Sequence, residues 1–170
     1  VRLHRAQGLP LVQYAANEVA MLISNPTVGA LNRLKRVARF LKGHPLWQTM
    51  HKEQEPVTTL TLRADSDWAQ DAIDRKSVSS VHALLGNHLI RALVATQTPP
   101  ASSSGDAEFV ASVKTGSVAV GLRSRAKDFG HVVELITMGT DSAAAKGVLG
   151  RVGLGKIRHL ATGPLWVQHF

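Results

Sequence analysis

The first quarter of the chain carries apolar residues three or four positions apart, which is the spacing of a helix that buries one face. The sequence Asn25-Pro26-Thr27 divides this pattern into two helices, and Thr27 is placed to cap the second. Gly43 ends the second helix, and Pro45 follows it. We therefore predict two helices within residues 9–42. Their apolar stripes consist of Leu9, Val12, Ala16, Val19, Ala20 and Ile23 in the first helix, and of Leu31, Leu34, Ala38 and Leu41 in the second.

After Pro56 the apolar residues alternate with polar ones, a pattern typical of strands. Residues 58–64 predict a first strand that runs into Asp65, and residues 78–85 and 89–95 predict two further strands. Gly86-Asn87 between the latter two favours a hairpin turn. A sheet built on this hairpin is therefore expected in this part of the chain.

A long helical pattern extends from about Asp106 to Phe129 and ends at Gly130. Residues 132–138 predict a fourth strand, and Ser142 can cap a short helix that reaches Leu149. The order is thus two helices followed by β, β, β, α, β, α and a tail. This order predicts an α/β fold, a mixed layer domain of strands and helices.

Composition and charge exclude several classes of protein and site. Of 170 residues, 20 are basic and 12 acidic, giving a formal charge of +8, and 44% are hydrophobic, enough for a core. The chain has no Cys, which excludes disulfides and thiolate zinc sites. No run approaches the length of a membrane span. The chain lacks an initial Met and an apolar signal core, so we expect a fragment or a processed product.

The high positive charge makes nucleic acid the first partner to consider, with an ordinary basic surface as the alternative. Five of the 20 basic residues lie in the second predicted helix, where no acidic residue occurs. That helix either follows phosphates or presents a solvated basic face, and the sequence leaves both open. Its basic residues are Arg33, Lys35, Arg36, Arg39 and Lys42.

Three carboxylates stand near the ends of predicted elements. Asp65 ends the first strand, Glu108 lies in the first turn of the long helix, and Asp141 ends the fourth strand. Carboxylates held close together repel one another, and divalent cations such as Mg²⁺ relieve that repulsion. The alternative is that Glu108 only favours the helix dipole and that the two aspartates serve in turns or caps.

At these residues the sequence resembles the C-terminal part of copia-type retrotransposon Pol polyproteins, where the end of the reverse transcriptase precedes a ribonuclease H domain. The similar blocks appear in the same order as in that family. They are Asp65-Ser66-Asp67-Trp68-Ala69 with Asp74-Arg75-Lys76-Ser77, then residues 103–111, Thr140-Asp141-Ser142, and Lys156-Ile157-Arg158-His159-Leu160, preceded by residues 13–16, 24–27 and 34–43.

The resemblance implies an RNase H-like mixed sheet flanked by helices and preceded by two N-terminal helices. Residues 1–45 would be a remnant of the reverse transcriptase thumb or connection. Residues 56–170 would be an RNase H-like domain, complete or truncated at its C terminus. It further implies an endonuclease that hydrolyses the RNA strand of an RNA–DNA hybrid with two Mg²⁺ or Mn²⁺ ions.

By position in the resemblance, Asp65, Glu108 and Asp141 would be both the catalytic residues and the metal ligands. The implied partners are the hybrid and the rest of the Pol polyprotein, with no membrane and no small-molecule cofactor. The implied location is intracellular, in a cytoplasmic virus-like particle or the nucleus, and not secreted. The residues expected to contact the nucleic acid are Arg75, Lys76, Lys156, Arg158 and His159.

The chain departs from the family pattern at its fourth metal carboxylate, where Ala161 stands. Loss of such a group weakens metal binding or misplaces a metal. Gly163-Pro164 also lies where a helix is expected, and proline is costly inside a helix. The sequence therefore leaves open an active ribonuclease H, a catalytically inactive nucleic-acid-binding module of the same fold, and the product of a decayed element.

Overall fold

The computed structural model describes residues 9–69, 75–98, 100–153 and 163–169. The chain divides into two compact units, Val1–Glu53 and Gln54–Phe170. The first unit contains helices α1 (Pro10–Met21) and α2 (Val28–Gly43). Both predicted N-terminal helices are therefore confirmed.

The ends of these helices follow from local chemistry. Pro10 begins α1, where its missing N–H costs no helical hydrogen bond. The Thr27 hydroxyl caps α2 by accepting a hydrogen bond from the Ala30 N–H at 3.1 Å. The two helices pack through Val12 and Ala16 of α1 with Leu41 of α2.

The second unit is built on a four-stranded mixed sheet in the order β3-β2-β1-β4. Strands β1 and β2 are antiparallel, as are β2 and β3, whereas β4 runs parallel to β1. The predicted hairpin turn lies at Gly86, whose φ of +60° favours glycine. The strands are β1 (Thr59–Asp67), β2 (Val78–Leu85), β3 (His88–Thr96) and β4 (Leu135–Gly139).

The long helix α3 (Ser104–Asp128) covers one face of this sheet. Leu60 and Leu62 of β1 are buried beneath it with Val81 and Ala83 of β2, and Ala119 of the helix packs against them. Because side chains alternate along a strand, the intervening residues of β1 point to the opposite face. Helix α3 thus covers the apolar side of the alternating pattern.

The remaining elements are α4 (Ala143–Leu149) and a 3-10 helix (Gly163–His169). Phe109 of α3, Val148 of α4 and Val167 of the 3-10 helix form a second small core. Pro164 lies in the first turn of the 3-10 helix, where it removes no helical hydrogen bond. The expected conflict between this proline and a helix is therefore avoided.

Three predicted boundaries were wrong by two or three residues. Strand β1 ends at Asp67 rather than at Asp65, and its last residues pair with the start of β2. Helix α3 begins at Ser104 rather than near Asp106, because Ser103 is its cap. Strand β4 begins at Leu135 rather than Val132, since β1 offers paired residues only from Thr59 onward and the Glu134 N–H donates to the Thr58 carbonyl.

The predicted fold class is confirmed: the second unit is a mixed α/β sheet with flanking helices, consistent with an RNase H-like fold, and two helices precede it. Across the described ranges of the chain, no helix is both long and apolar enough to cross a membrane.

Candidate metal centre

Three elements bring their carboxylates to one end of the sheet. Asp65 lies in β1 and Asp141 follows β4. Because these strands are parallel neighbours, their C-terminal ends meet at the same edge. Glu108 comes from the second turn of α3, one turn later than predicted because the helix begins earlier. One oxygen from each carboxylate lies within 4.8 Å of the others.

The Glu108 carboxylate is the fixed member of this cluster. Its side chain is 6% exposed, and its Oε1 accepts hydrogen bonds from the Ser66 N–H at 3.1 Å and the Ser66 hydroxyl at 2.8 Å. The Thr140 hydroxyl donates to Oε2 at 3.4 Å. Asp65 and Asp141 are exposed. The cluster therefore has one rigid carboxylate at its base and two that face solvent.

Hydrogen bonds at the start of α3 hold Glu108 in place. The Ser103 hydroxyl accepts from the Asp106 N–H at 3.1 Å, and the Ser102 hydroxyl donates to the Asp106 carboxylate. Gln97, after β3, is buried and donates through Nε2 to the Ala107 carbonyl at 2.9 Å. The residues just before Glu108 are thus held by the preceding loop and, through Gln97, by strand β2, where Ser79 accepts a second hydrogen bond from Gln97.

The loop that carries Asp141 is ordered by the same kind of bonds. The Ser142 N–H donates to the Thr140 hydroxyl at 3.2 Å. The Ser142 hydroxyl caps α4, as predicted, by accepting from the Ala145 N–H at 3.1 Å. Since Thr140 also contacts Glu108, this loop and the start of α3 are linked directly at the cluster.

The donor set suits a hard divalent cation. It offers three carboxylates and no sulfur or imidazole, which is the ligand chemistry that Mg²⁺ and Mn²⁺ prefer. Across the residues that the structure describes, none of the three forms an ion pair with a basic side chain. Among the described residues no basic side chain relieves their mutual repulsion, and a bound cation would relieve it.

Of the residues expected to contact nucleic acid, two lie within the described part of the chain and three lie outside it. Arg75 is exposed and Lys76 is partly buried, and both precede β2. Because Val78, the first residue of β2, pairs with Asp67 at the end of β1, they lie at the same end of the sheet as the cluster. Lys156, Arg158 and His159 lie outside the described residues, as does Ala161.

Sequence reasoning assigned no role to Ser66 or Thr140, although both hold Glu108. The alternating side-chain directions along β1 could have indicated the position of Ser66. Asp65 faces away from α3, so the next residue must face toward the helix that carries Glu108. For Thr140, only its place beside Asp141 pointed to the cluster.

The four-stranded mixed sheet with its flanking helices, preceded by two N-terminal helices, is consistent with the RNase H-like class of α/β folds. No family model matches the chain. The chain is 34% identical over 110 residues, 64% of its length, to each of two proteins from Arabidopsis thaliana. These are the retrovirus-related Pol polyproteins from transposons RE1 and RE2.

An uncharacterized mitochondrial protein from Arabidopsis thaliana is 32% identical over 113 residues, again 64% of the chain. The aligned segment covers only 7% of each Pol polyprotein and 45% of the mitochondrial protein. The chain is therefore similar to a segment of retrovirus-related Pol polyproteins from transposons and spans only a small part of their length. The resemblance predicted from its motifs is confirmed.

Proposed function

We propose that the second unit is a ribonuclease H domain of a retrotransposon polyprotein, which hydrolyses the RNA strand of an RNA–DNA hybrid. The observation that carries this proposal is the convergence of Asp65, Glu108 and Asp141 within 4.8 Å at one edge of the sheet. The similarity to Pol polyproteins from transposons supports it.

The three carboxylates would hold two Mg²⁺ or Mn²⁺ ions. When bound, such ions supply water activation at neutral pH and stabilisation of the leaving oxygen in an in-line phosphoryl transfer. The chain's own contribution is geometric. Ser66 and Thr140 fix the Glu108 carboxylate, while the exposed Asp65 and Asp141 present oxygens toward solvent, from which the scissile phosphate approaches.

The substrate would be bound chiefly through backbone phosphates and 2′-hydroxyls rather than through base edges. Arg75 and Lys76 precede β2 at the edge that carries the carboxylates, which suits them to phosphate contact. Lys156, Arg158 and His159 complete the proposed set. The rest of the polyprotein, including its polymerase, would be the partner of the N-terminal helices, in a virus-like particle or the nucleus.

Ala161 favours a second candidate, an inactive nucleic-acid-binding module of the same fold. This residue stands where the family has its fourth carboxylate, so the proposed site has three anionic ligands. The +8 net charge would support binding to a polyanion without any reaction. Cleavage and binding therefore have to be measured separately.

The decisive experiment follows an end-labelled RNA–DNA hybrid and the same RNA as a single strand, in Mg²⁺ and in Mn²⁺. We expect the native chain to cut only the hybrid and Asp141→Asn to lower the rate by at least about 100-fold. Asp128→Asn, at an exposed position at the end of α3, is the matched control and should cut normally.

Ala161→Asp separates the two candidates. If the native chain is folded and inert but Ala161→Asp cuts the hybrid, the domain is a disabled ribonuclease H whose other ligands are intact. If neither chain cuts the hybrid while both bind it, the ribonuclease proposal is wrong and the binding module stands.

A further inference from the structure

The sheet face opposite α3 carries an open cavity of about 440 Å³ that extends the carboxylate site along β1. Asp65 and Asp141 line one end of it. Arg63, two residues before Asp65 on the same face, lines it as well, together with His82 of β2. Arg63 and His82 are directly opposite each other in the antiparallel register of β1 and β2. The cavity thus joins an acidic end to a basic end.

The basic end of this cavity has no partner among the described residues. The side chains of Arg63 and His82 are exposed, and neither makes a hydrogen bond or ion pair within the described part of the chain. Arginine remains charged at every accessible pH, and a histidine ring donates at least one N–H in either protonation state. Two donors therefore face the same open space as two of the carboxylates.

The chemistry of this pair suits a phosphate. A guanidinium offers parallel N–H groups that match two phosphate oxygens, and such paired, charge-assisted bonds are among the stronger contacts in proteins. Residues two apart on a strand are separated by about 6.8 Å, twice the rise per residue. That separation is comparable with the spacing of neighbouring phosphates along one nucleic-acid strand.

We propose that this cavity is a phosphate subsite in which Arg63, assisted by His82, holds the backbone phosphate next to the one positioned at Asp65, Glu108 and Asp141. The assignment rests on the proposed function for the location of the second phosphate. The subsite itself needs only the cavity and its unpartnered donors. It would fix the position of the strand relative to the carboxylates, so that a particular linkage is presented for cleavage.

The test measures binding of the full chain to a fluorescently labelled RNA–DNA hybrid in EDTA, at a series of salt concentrations. Without divalent ions, the measured affinity does not depend on metal binding at the carboxylate site. Arg63→Gln should weaken binding about 3- to 10-fold. It should also reduce the slope of log K against log salt by about 0.9, the loss of one phosphate contact.

Two further variants make the result specific to this position. Arg123→Gln removes the same charge from an exposed site on α3, across the sheet, and should leave affinity and slope within error of the native chain. Arg63→Lys keeps the charge without the forked donors, so it should retain the salt slope while binding about 2- to 3-fold more weakly. His82→Gln should weaken binding less than Arg63→Gln does.

Equal affinity and slope for Arg63→Gln and Arg123→Gln would overturn the subsite, as would failure of the native chain to bind the hybrid. An Arg63→Gln variant that changes only Mn²⁺ affinity would assign Arg63 to balancing the carboxylate charge instead. Cleavage of the hybrid distinguishes the two proposals. If Arg63→Gln binds the hybrid more weakly while neither the native chain nor Ala161→Asp cuts it, the subsite stands and the ribonuclease is ruled out. If the native chain cuts the hybrid and Arg63→Gln binds it normally, the ribonuclease stands and the subsite is ruled out.

Discussion

From Leu60 to Ala64 of β1, the residues that face helix α3 are apolar and buried, whereas the alternate residues on the opposite face are polar and more exposed. Leu60 and Leu62 are 1% and 0% exposed. Thr61 is partly exposed, and Arg63 and Asp65 are exposed. The same strand therefore stabilises the domain through one face and presents charged groups through the other.

This difference explains why charged groups can accumulate on the face of the sheet opposite α3. Side chains there are not needed to fill the core, so an exposed arginine and two exposed carboxylates cost little stability. Glu108 is the exception, because it comes from the covering helix and is 6% exposed. Its hydrogen bonds with Ser66 and Thr140 compensate for that burial.

The largest expected change in stability separates substitutions at two adjacent residues of β1, one on each face of the sheet. Leu62→Ala removes a fully buried side chain and should lower the free energy of unfolding by about 2–5 kcal/mol. Thr61→Ala loses one hydrogen bond with the Thr137 hydroxyl and should cost about 1 kcal/mol or less. Urea unfolding measures both. Similar losses of unfolding free energy in the two variants would contradict the conclusion that only the face toward α3 stabilises the domain.

A smaller effect should follow from adding a divalent cation. At ten times its dissociation constant, Mg²⁺ or Mn²⁺ should stabilise the folded chain by about 1.4 kcal/mol, raising Tm by roughly 3–6 °C. Asp65→Asn and Glu108→Gln should abolish this increase, whereas Asp128→Asn should retain it.

The metal-free Tm of Asp65→Asn provides a second readout of the cluster. Removing one of three like charges relieves repulsion, so this variant should melt no lower than the native chain without metal. A cation-dependent rise in Tm that survives in both Asp65→Asn and Glu108→Gln would place the bound ion elsewhere.

Much of this arrangement could be predicted from the sequence, because it depends on local patterns. Alternation and turn residues gave β2 (Val78–Leu85) with its correct ends, and capping chemistry gave the starts of α2 and α4. The three carboxylates were found because each lies near the end of an element. Their roles as metal ligands stay a prediction.

What could not be predicted depends on contacts between distant parts of the chain. The bond from Ser66 to Glu108 joins residues 42 positions apart, and that from Gln97 to Ser79 joins residues 18 apart. Neither has a local pattern. The pairing of Arg63 with His82 likewise requires the register of β1 and β2, which a one-residue shift would change completely.

Helix α3 covers one face of the sheet and also carries Glu108 to the carboxylate cluster. A change at the start of this helix should therefore have a small effect on the stability of the domain and on the order of the backbone next to Glu108. Ser103→Ala removes the cap of α3 and should lower the free energy of unfolding by about 1 kcal/mol. Ser124→Ala, at an exposed position in the same helix, is the matched control and should be neutral or stabilising by about 0.5 kcal/mol, since alanine is the better helix former.

Equal stability of the two variants would show that the bond from Gln97 to the Ala107 carbonyl, rather than the cap, fixes where the helix begins. Amide hydrogen exchange over residues 104–108 would then remain as slow in Ser103→Ala as in the native chain, whereas loss of the cap should speed exchange there and leave the buried strands unchanged.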